Sequence, residues 1–513
     1  IVHIFALRPR LQMFFRIDYR ATRCGCDLQM SQARTRDLPV FPLTPDPVRG
    51  DASRDAAPVH HQIEATGAED GPRIALITLG CDKNTVDSER MMAALVGHGA
   101  HVSSEVDGAD VVIVNTCGFI QEAKEQSIET ILEACDLKAD GGLKAVVAVG
   151  CLVQRYKDDL VEEIPEVDLF MGLTELQGLV PELRQRGLLP DEEVIPTMER
   201  PLRVLSTATS HTSYLKISEG CDHTCAFCAI PLMRGLHRSQ PVDLLVREAA
   251  GLGEMGVKEI NIISQDTTWF GRDLKRKDQS APLLRELLQG LIEGTDVPWY
   301  RLFYMYPSGI TREMVDFMAS EARILPYLDM PIQHGSDRVL GLMRRPERQA
   351  TIRERVGWLR EAIPDLTLRT TVIVGFPGET DADFREMLEL LDEIQFERVG
   401  AFTYSVEEGT RAADMDGQID QQVMNERLEE LMELQRGISF DKNAALIGQT
   451  MTALVDRVIH DDPEFGAVAR TVGQALDVDG VTNIRKADAL AVGSLIDVEI
   501  VDALDYDLVA ELK

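Results

Sequence analysis

Cys221, Cys225 and Cys228 lie in the run Ser218-Glu-Gly-Cys-Asp-His-Thr-Cys-Ala-Phe-Cys-Ala-Ile-Pro231 and carry the most specific chemistry in this chain. The C-x3-C-x2-C spacing lets one loop offer three thiolates to a single cubic cluster, whereas structural zinc is closed by four ligands and iron-sulfur cubes usually have four protein sulfurs. Three sulfurs leave one iron open to an exchangeable ligand. That vacancy is what a [4Fe-4S] site needs in order to bind S-adenosylmethionine (SAM) and split it reductively. The alternatives are a zinc knuckle or half of a disulfide framework. A knuckle pairs its C-x2-C with a second such pair or with His, and no second C-x2-C occurs in the sequence.

A second trio emerges from the elements that would have to position it. Arg73 to Gly80, Asp110 to Thr116 and Lys144 to Gly150 are apolar runs of strand length, separated by helical stretches from about Thr85 to Gly97 and from Gln121 to Cys135. Apolar strands alternating with helices predict a doubly wound parallel sheet, α/β in class. Cys81, Cys117 and Cys151 each follow directly on one of the three strands. In such a sheet all parallel strands end at one edge, where these folds bind ligands, so three thiols far apart in sequence are brought together there. The competing reading is three unrelated core thiols, since free Cys is often a small buried hydrophobe. Cys135, late in a helix, is expected to be core.

The middle of the chain repeats a strand-helix unit six times. The strands are expected at Ser213 to Ser218, Glu259 to Ser264, Tyr300 to Met305, Leu325 to Met330, Leu368 to Val374 and Arg398 to Tyr404. Six such units predict a partial (β/α)6 barrel with its site at the C-terminal mouth of the strands, onto which the Cys221 loop opens. Gln265, Gln333-His334 and Gly375-Phe-Pro-Gly-Glu379 follow other strands of the set. Gln265 and Glu379 are candidate SAM contacts. A Gly-Pro turn is also ordinary punctuation, and Glu379 could simply favour a helix dipole.

Three further features set the frame. From Ala444 onward, short β-like runs at Thr450 to Val458, Ala467 to Val472 and Leu495 to Val501 predict a small β-barrel after a helix from Gln422 to Gly437. This segment holds 13 Asp or Glu against five Lys or Arg, and the whole chain has a formal charge of −32. That sign disfavours a surface tracking RNA phosphates and suits a basic protein partner. No stretch approaches the roughly 18 apolar residues of a membrane helix, and sparse cysteines fit a reducing cytoplasm. Residues 1–71 are read as an extension: nine Arg balance nine Asp or Glu up to residue 72, and the Pro, Asp and Ala of Leu38 to Pro58 predict disorder. Cys24 and Cys26 lie within it.

With these residues in hand, the chain from about residue 72 to its end resembles the radical-SAM methylthiotransferase family. The likeness rests on Leu79-Gly-Cys-Asp-Lys-Asn-Thr-Val-Asp-Ser-Glu89, Asn115-Thr-Cys-Gly-Phe119, Val149-Gly-Cys151, the Cys221 loop with Arg234-Gly235, and a terminal barrel of TRAM type. Family members commonly have Pro where this chain has Asp82. The resemblance implies an N-terminal domain over residues 72–187, a radical SAM core over 207–438 and a TRAM barrel over 441–513. It implies two [4Fe-4S] clusters, the auxiliary one on Cys81, Cys117 and Cys151 and the SAM-binding one on Cys221, Cys225 and Cys228, with an external electron donor. Ser218-Glu-Gly-Cys221, Cys228-Ala-Ile-Pro231, Tyr304-Met-Tyr-Pro307 and Tyr327-Leu-Asp-Met-Pro-Ile-Gln-His334 are similar to the RimO branch. That branch modifies the β-carbon of an aspartate in the twelfth small-subunit ribosomal protein, free or ribosome-bound. The alternatives are the MiaB-like branch, which modifies an adenosine in tRNA, and a non-catalytic zinc-binding protein.

Overall fold

The computed structural model describes residues 66–191, 194–195, 202–205, 210–486 and 490–513. The disorder expected for residues 1–71 falls mostly outside this range, as do Cys24 and Cys26. Residues 66–71 are inside it, and there Thr66–Gly67 pairs antiparallel with His101 and Val102.

The described residues form two compact units, one comprising the chain up to Asn84 with Leu95–Val194, the other Thr85–Ala94 with Ile195–Lys513. In the first unit, strands β1 (Thr66–Gly67), β2 (Arg73–Thr78), β3 (His101–Ser103), β4 (Val111–Thr116), β5 (Ala145–Gly150) and β6 (Leu169–Gly172) form one sheet in the order β1-β3-β2-β4-β5-β6. Apart from β1 all pairings are parallel. Every residue of β4 and β5 is buried, as an apolar strand covered on both faces requires. Cys135 lies in this core among Ile131, Leu132 and Val146.

The second unit opens with six parallel strands, β7 (Thr212–Lys216), β10 (Glu259–Ile263), β11 (Trp299–Leu302), β12 (Ile324–Asp329), β13 (Thr367–Val374) and β14 (Arg398–Thr403), adjacent in chain order. A short ribbon of β8 (Ser218–Glu219) and β9 (Arg238–Ser239) flanks the first strand. Helices return the chain between strands by the expected spacing: Val242–Glu254 buries Leu245, Ala249 and Leu252, and Leu284–Gly294 buries Leu284, Leu287, Leu288 and Leu291.

The last helix, Gln421–Ala444, runs past the expected stop at Gly437 and across the expected boundary at residue 441. Gly437 meets no neighbour, so it costs about 1 kcal/mol in helix propensity. Against this, Ile438, Ser439 and Asn443 are buried, and Arg398 of β14 donates to Ser439 Oγ at 2.9 Å and to Asn443 Oδ1 at 3.0 Å.

Beyond it, β15 (Thr450–Val458), β16 (Phe465–Thr471), β17 (Thr482–Arg485), β18 (Leu495–Ala503) and β19 (Leu508–Leu512) close a barrel in the order β15-β16-β17-β19-β18. Its turn after β16 lies under the N-terminal ends of the six parallel strands. Val472 and Ala475 pack with Trp299, Leu325 and Tyr327, and the Tyr327 hydroxyl donates to Asp479 at 2.8 Å. Fully buried Arg470 donates to Glu259 at 2.6 Å, Thr212 at 3.0 Å and Asp456 at 2.7 Å, while Arg301 donates to Glu259 at 2.6 Å and to the Val472 carbonyl at 2.7 Å.

Candidate metal centres

The Cys221 loop leaves the C-terminal end of β7 and is held at both stems. Gly220 has φ +74°, and a Cβ there would stand 2.3 Å from the Leu236 carbonyl, so only glycine lets the two stems approach. The Cys221 N–H donates to the Gly235 carbonyl at 3.0 Å. Next to it is a quartet of three buried charges and half-buried Glu219: Lys216 donates to Asp87 and, at 2.7 Å, to Glu219, while Arg234 donates to Glu219 at 2.8 Å and to Asp87 at 3.2 Å. Burial would raise the Glu219 pKa, but the charges of Lys216 and Arg234 outweigh it and hold it at about 2. Farther along, the Ala226 N–H donates to the Met343 carbonyl at 2.9 Å and its carbonyl accepts from Ala412 at 2.8 Å.

Cys221 and Cys225 are buried and Cys228 is half-buried. Burial pushes the Cys221 and Cys228 thiols up to about 12, and the neighbouring Cys225 adds to the rise in both. Buried thiols such as Cys221 and Cys228 lose their protons when a cation compensates the charge, so a metal that binds them would displace protons as it loads. Among the described residues no three His, Cys, Asp or Glu side chains converge on a single ion position. A cube presents a separate iron to each sulfur, so its ligands need not converge.

Polar groups line the space beside Cys225. Arg345 is fully buried, with one terminal N–H group 3.9 Å from Cys225 Sγ and another donating to the Pro331 carbonyl and to Glu347, each at 2.9 Å. Its Nε has no acceptor. A buried guanidinium that keeps one donor unused and another 3.9 Å from Cys225 Sγ fits an anionic occupant such as an iron-sulfur cluster with bound thiolates. The Tyr306 hydroxyl also stands 3.9 Å from Cys225 Sγ. Asp266 accepts from His223 at 2.7 Å and from the Thr268 N–H at 2.9 Å.

The other candidates divide. Gln265 sits half-buried in the loop after β10, beside Asp266. Glu379, expected as a cofactor contact, has its carboxylate committed within its own turn: one oxygen accepts from the Gly375 and Phe376 N–H groups at 2.8 and 3.2 Å, the other from Arg427 at 2.8 Å. It therefore shapes the turn. Gly375 makes room for Met424, whose Cγ would lie 2.1 Å from an added Cβ. His334 is buried, accepts from the Ser336 N–H at Nδ1, and faces Glu379 across 3.4 Å.

The second trio gathers at the sheet edge of the first unit. β2, β4 and β5 are adjacent and in register, Thr78 beside Asn115 and Thr116 beside Gly150, so Cys81, Cys117 and Cys151 emerge from neighbouring strand ends. The loops touch: a Cβ on Gly80 would stand 3.0 Å from Cys117 Sγ, and one on Gly118 would stand 3.2 Å from the Cys151 carbonyl carbon. Cys81 stands at the N-cap position of the helix Asp82–Gly97, and Cys151 is the first residue of the helix Cys151–Glu163. Sequence reasoning missed the groups that fix these loops. Asn84 donates to the Leu79 carbonyl at 2.7 Å and the Thr116 carbonyl at 3.1 Å, and its Oδ1 lies 3.7 Å from Cys151 Sγ. Ser127 accepts from the Cys117 N–H and donates to the Cys117 carbonyl, each at 2.9 Å. Asn84 and Ser127 stand among other polar residues, in Asp82 to Arg90 and Gln121 to Thr130, so no signal in the sequence sets them apart.

Comparison with known proteins follows this division. Residues 73–172 match the uncharacterized protein family UPF0004, residues 215–391 the radical SAM superfamily and residues 447–512 the TRAM domain. The chain is 43% identical over 448 residues to a ribosomal protein uS12 methylthiotransferase RimO from Bdellovibrio bacteriovorus, covering 86% of this chain and 97% of the relative. It is 41% identical over 446 residues to one from Clostridioides difficile, covering 86% and 98%. Among solved structures, the radical SAM methyltransferase TsrM from Kitasatospora setae superposes with a TM-score of 0.47 at 14% identity, covering 65% of this chain and 75% of that one.

Proposed function

The chain belongs to the RimO family of ribosomal protein uS12 methylthiotransferases, and from that membership we propose that it is a radical-SAM transferase placing a methylthio group on the β-carbon of an aspartate in uS12. One observation supports this reading above the rest: two separate cysteine trios, each at the C-terminal strand ends of a parallel sheet. An unactivated C–H bond has no acidic proton, so side-chain acid-base chemistry does not open it and a cofactor must carry the step. Cys221, Cys225 and Cys228 would hold a [4Fe-4S] cluster that binds SAM, and Cys81, Cys117 and Cys151 an auxiliary [4Fe-4S] cluster. When bound, these groups supply a one-electron cleavage of SAM that yields a carbon radical, and a route for sulfur.

The chain's own side chains bind and orient. The Lys216, Asp87, Glu219 and Arg234 quartet fixes the stems of the Cys221 loop, and Asn84 and Ser127 fix the loops of the auxiliary trio. Tyr306, Arg345 and His223 wall the space next to Cys225. Gln265, at the mouth, is the remaining side chain proposed to meet SAM.

The substrate is a basic ribosomal protein, which the acidic TRAM barrel suits better than RNA; attraction between opposite fields speeds encounter and weakens with salt. An external reductant supplies electrons, and the reaction belongs in the cytoplasm, where uS12 is made. No helix among the described residues is long and apolar enough to cross a membrane.

Anaerobic purification should give about eight irons and eight sulfides per chain, from two cubes. Intact-mass analysis of uS12 from a strain carrying the gene should show a methylthio increment that deletion abolishes. Zinc in place of iron, or the increment on tRNA with uS12 unchanged, would overturn the assignment.

A further inference from the structure

Tyr306, within Tyr304-Met-Tyr-Pro307, stands 3.9 Å from Cys225 Sγ as part of the wall beside that thiol. Its geometry asks for more. The ring is clamped on both faces: the His223 imidazole stacks on it at 4.5 Å with an interplanar angle of 6°, and the Arg345 guanidinium lies 3.8 Å from its centroid on cation-π geometry. Each clamp is itself held, His223 by Asp266 at 2.7 Å and by edge contact with Trp269, Arg345 by Glu347 and the Pro331 carbonyl. A phenol fixed this firmly points its hydroxyl at one atom, Cys225 Sγ, 3.9 Å away. The other two thiols meet backbone donors, the His223 N–H at Cys221 and the Ile230 N–H at Cys228. Backbone donors come with the loop whatever its side chains are, whereas the donors at Cys225 are side chains brought from β11 and β12 onward.

We propose that Tyr306 is a positioning residue that sets the reduction potential of the cluster held by Cys221, Cys225 and Cys228, by donating its phenolic hydrogen to Cys225 Sγ. The proposal rests on the cluster reading given above. A cluster gains negative charge on reduction, and a hydrogen bond to a coordinating sulfur stabilises the more negative state, raising the potential. The effect is enlarged by burial, where few other dipoles compete.

The test is an anaerobic potentiometric titration of the holoenzyme with dithionite, read by electron paramagnetic resonance, comparing wild type with Tyr306→Phe. Phe keeps the ring and its stacking and removes the donor. One of the two cluster midpoints should move negative, by about the 59 mV that corresponds to a tenfold lower reduced fraction for a one-electron couple, with the other midpoint as internal reference. Full iron with both midpoints unmoved, or a positive shift, overturns the proposal. Should the Phe variant fail to load, site-specific fluorotyrosine at position 306, a stronger donor, must move the same midpoint positive, and no shift overturns it equally. A wild-type protein with no iron on the Cys221 trio would instead sink the cluster reading itself, so the two failures are distinct.

Discussion

Asn84 offers the sharpest test of how the auxiliary trio is built. Its side-chain amide is fully buried and donates to two carbonyls, Leu79 just before Cys81 and Thr116 just before Cys117, while its Oδ1 lies near Cys151 Sγ. One side chain thus ties together the approaches to all three cysteines. Asn84→Ala strips a donor from each of the two carbonyls at a buried site, and each unsatisfied buried group costs about 1–3 kcal/mol, so the loss should be about 2–6 kcal/mol. Native cluster binding is linked to this local order, so the same change should lower loading. The assay is iron and sulfide content after anaerobic reconstitution together with chemical denaturation. Iron should fall from about eight toward about four per chain, with SAM cleavage by the other trio retained. Asn84→Asp should load worse than Ala, because it turns the donor into an anionic oxygen facing two carbonyls and a thiolate. A variant with about eight irons and an unchanged denaturation midpoint would refute the reasoning.

Three other outcomes follow from the geometry. Cys225→Ala should abolish reductive SAM cleavage while leaving about four irons on the auxiliary trio, measured by 5′-deoxyadenosine release and iron content. Glu219, held at about 2 against an ordinary 4.5, contributes its stabilisation fully above about pH 5 and loses it as pH falls toward about 2, so the stability gap between wild type and Glu219→Gln should close over that window in acid denaturation. Arg470→Met leaves Glu259 and Asp456 without their shared cation and should cost about 3–5 kcal/mol in chemical denaturation, with Arg470→Met combined with Asp456→Asn recovering part of the loss.

Strands were the legible part of this molecule. The runs after Arg73, Asp110 and Lys144 and the six runs of the central barrel all stand where the pattern puts them; the signal is plainest in Val111–Thr116 and Ala145–Gly150, buried at every residue and rich in Val, Ile and Ala. The adjacency of Cys81, Cys117 and Cys151 was legible for the same reason, since parallel strands end at one edge. What stayed hidden depends on contacts between distant segments. Thr66–Gly67 is too short to show a pattern, and the part of the last helix beyond Gly437 is held by Arg398, some forty residues earlier, through the Ser439 and Asn443 side chains. Glu379 read as a ligand contact because a carboxylate at a strand end is free in a sequence; in the fold, Arg427 and two backbone N–H groups occupy it. Asn84, Ser127 and Arg345 are ordinary in type and become informative only when their partners are known.

The turn after β16, seated beneath the six parallel strands, has a bearing on engineering. A TRAM barrel looks like a detachable cassette, and exchanging it between relatives would be the obvious way to alter substrate choice. Here the cassette carries Arg470, Asp456 and Asp479, whose partners Glu259, Thr212, Tyr327 and Arg369 belong to the enzyme's own barrel. A chimera joined at residue 445 would strand those charges in an apolar base unless Glu259 and its neighbours travelled with the graft.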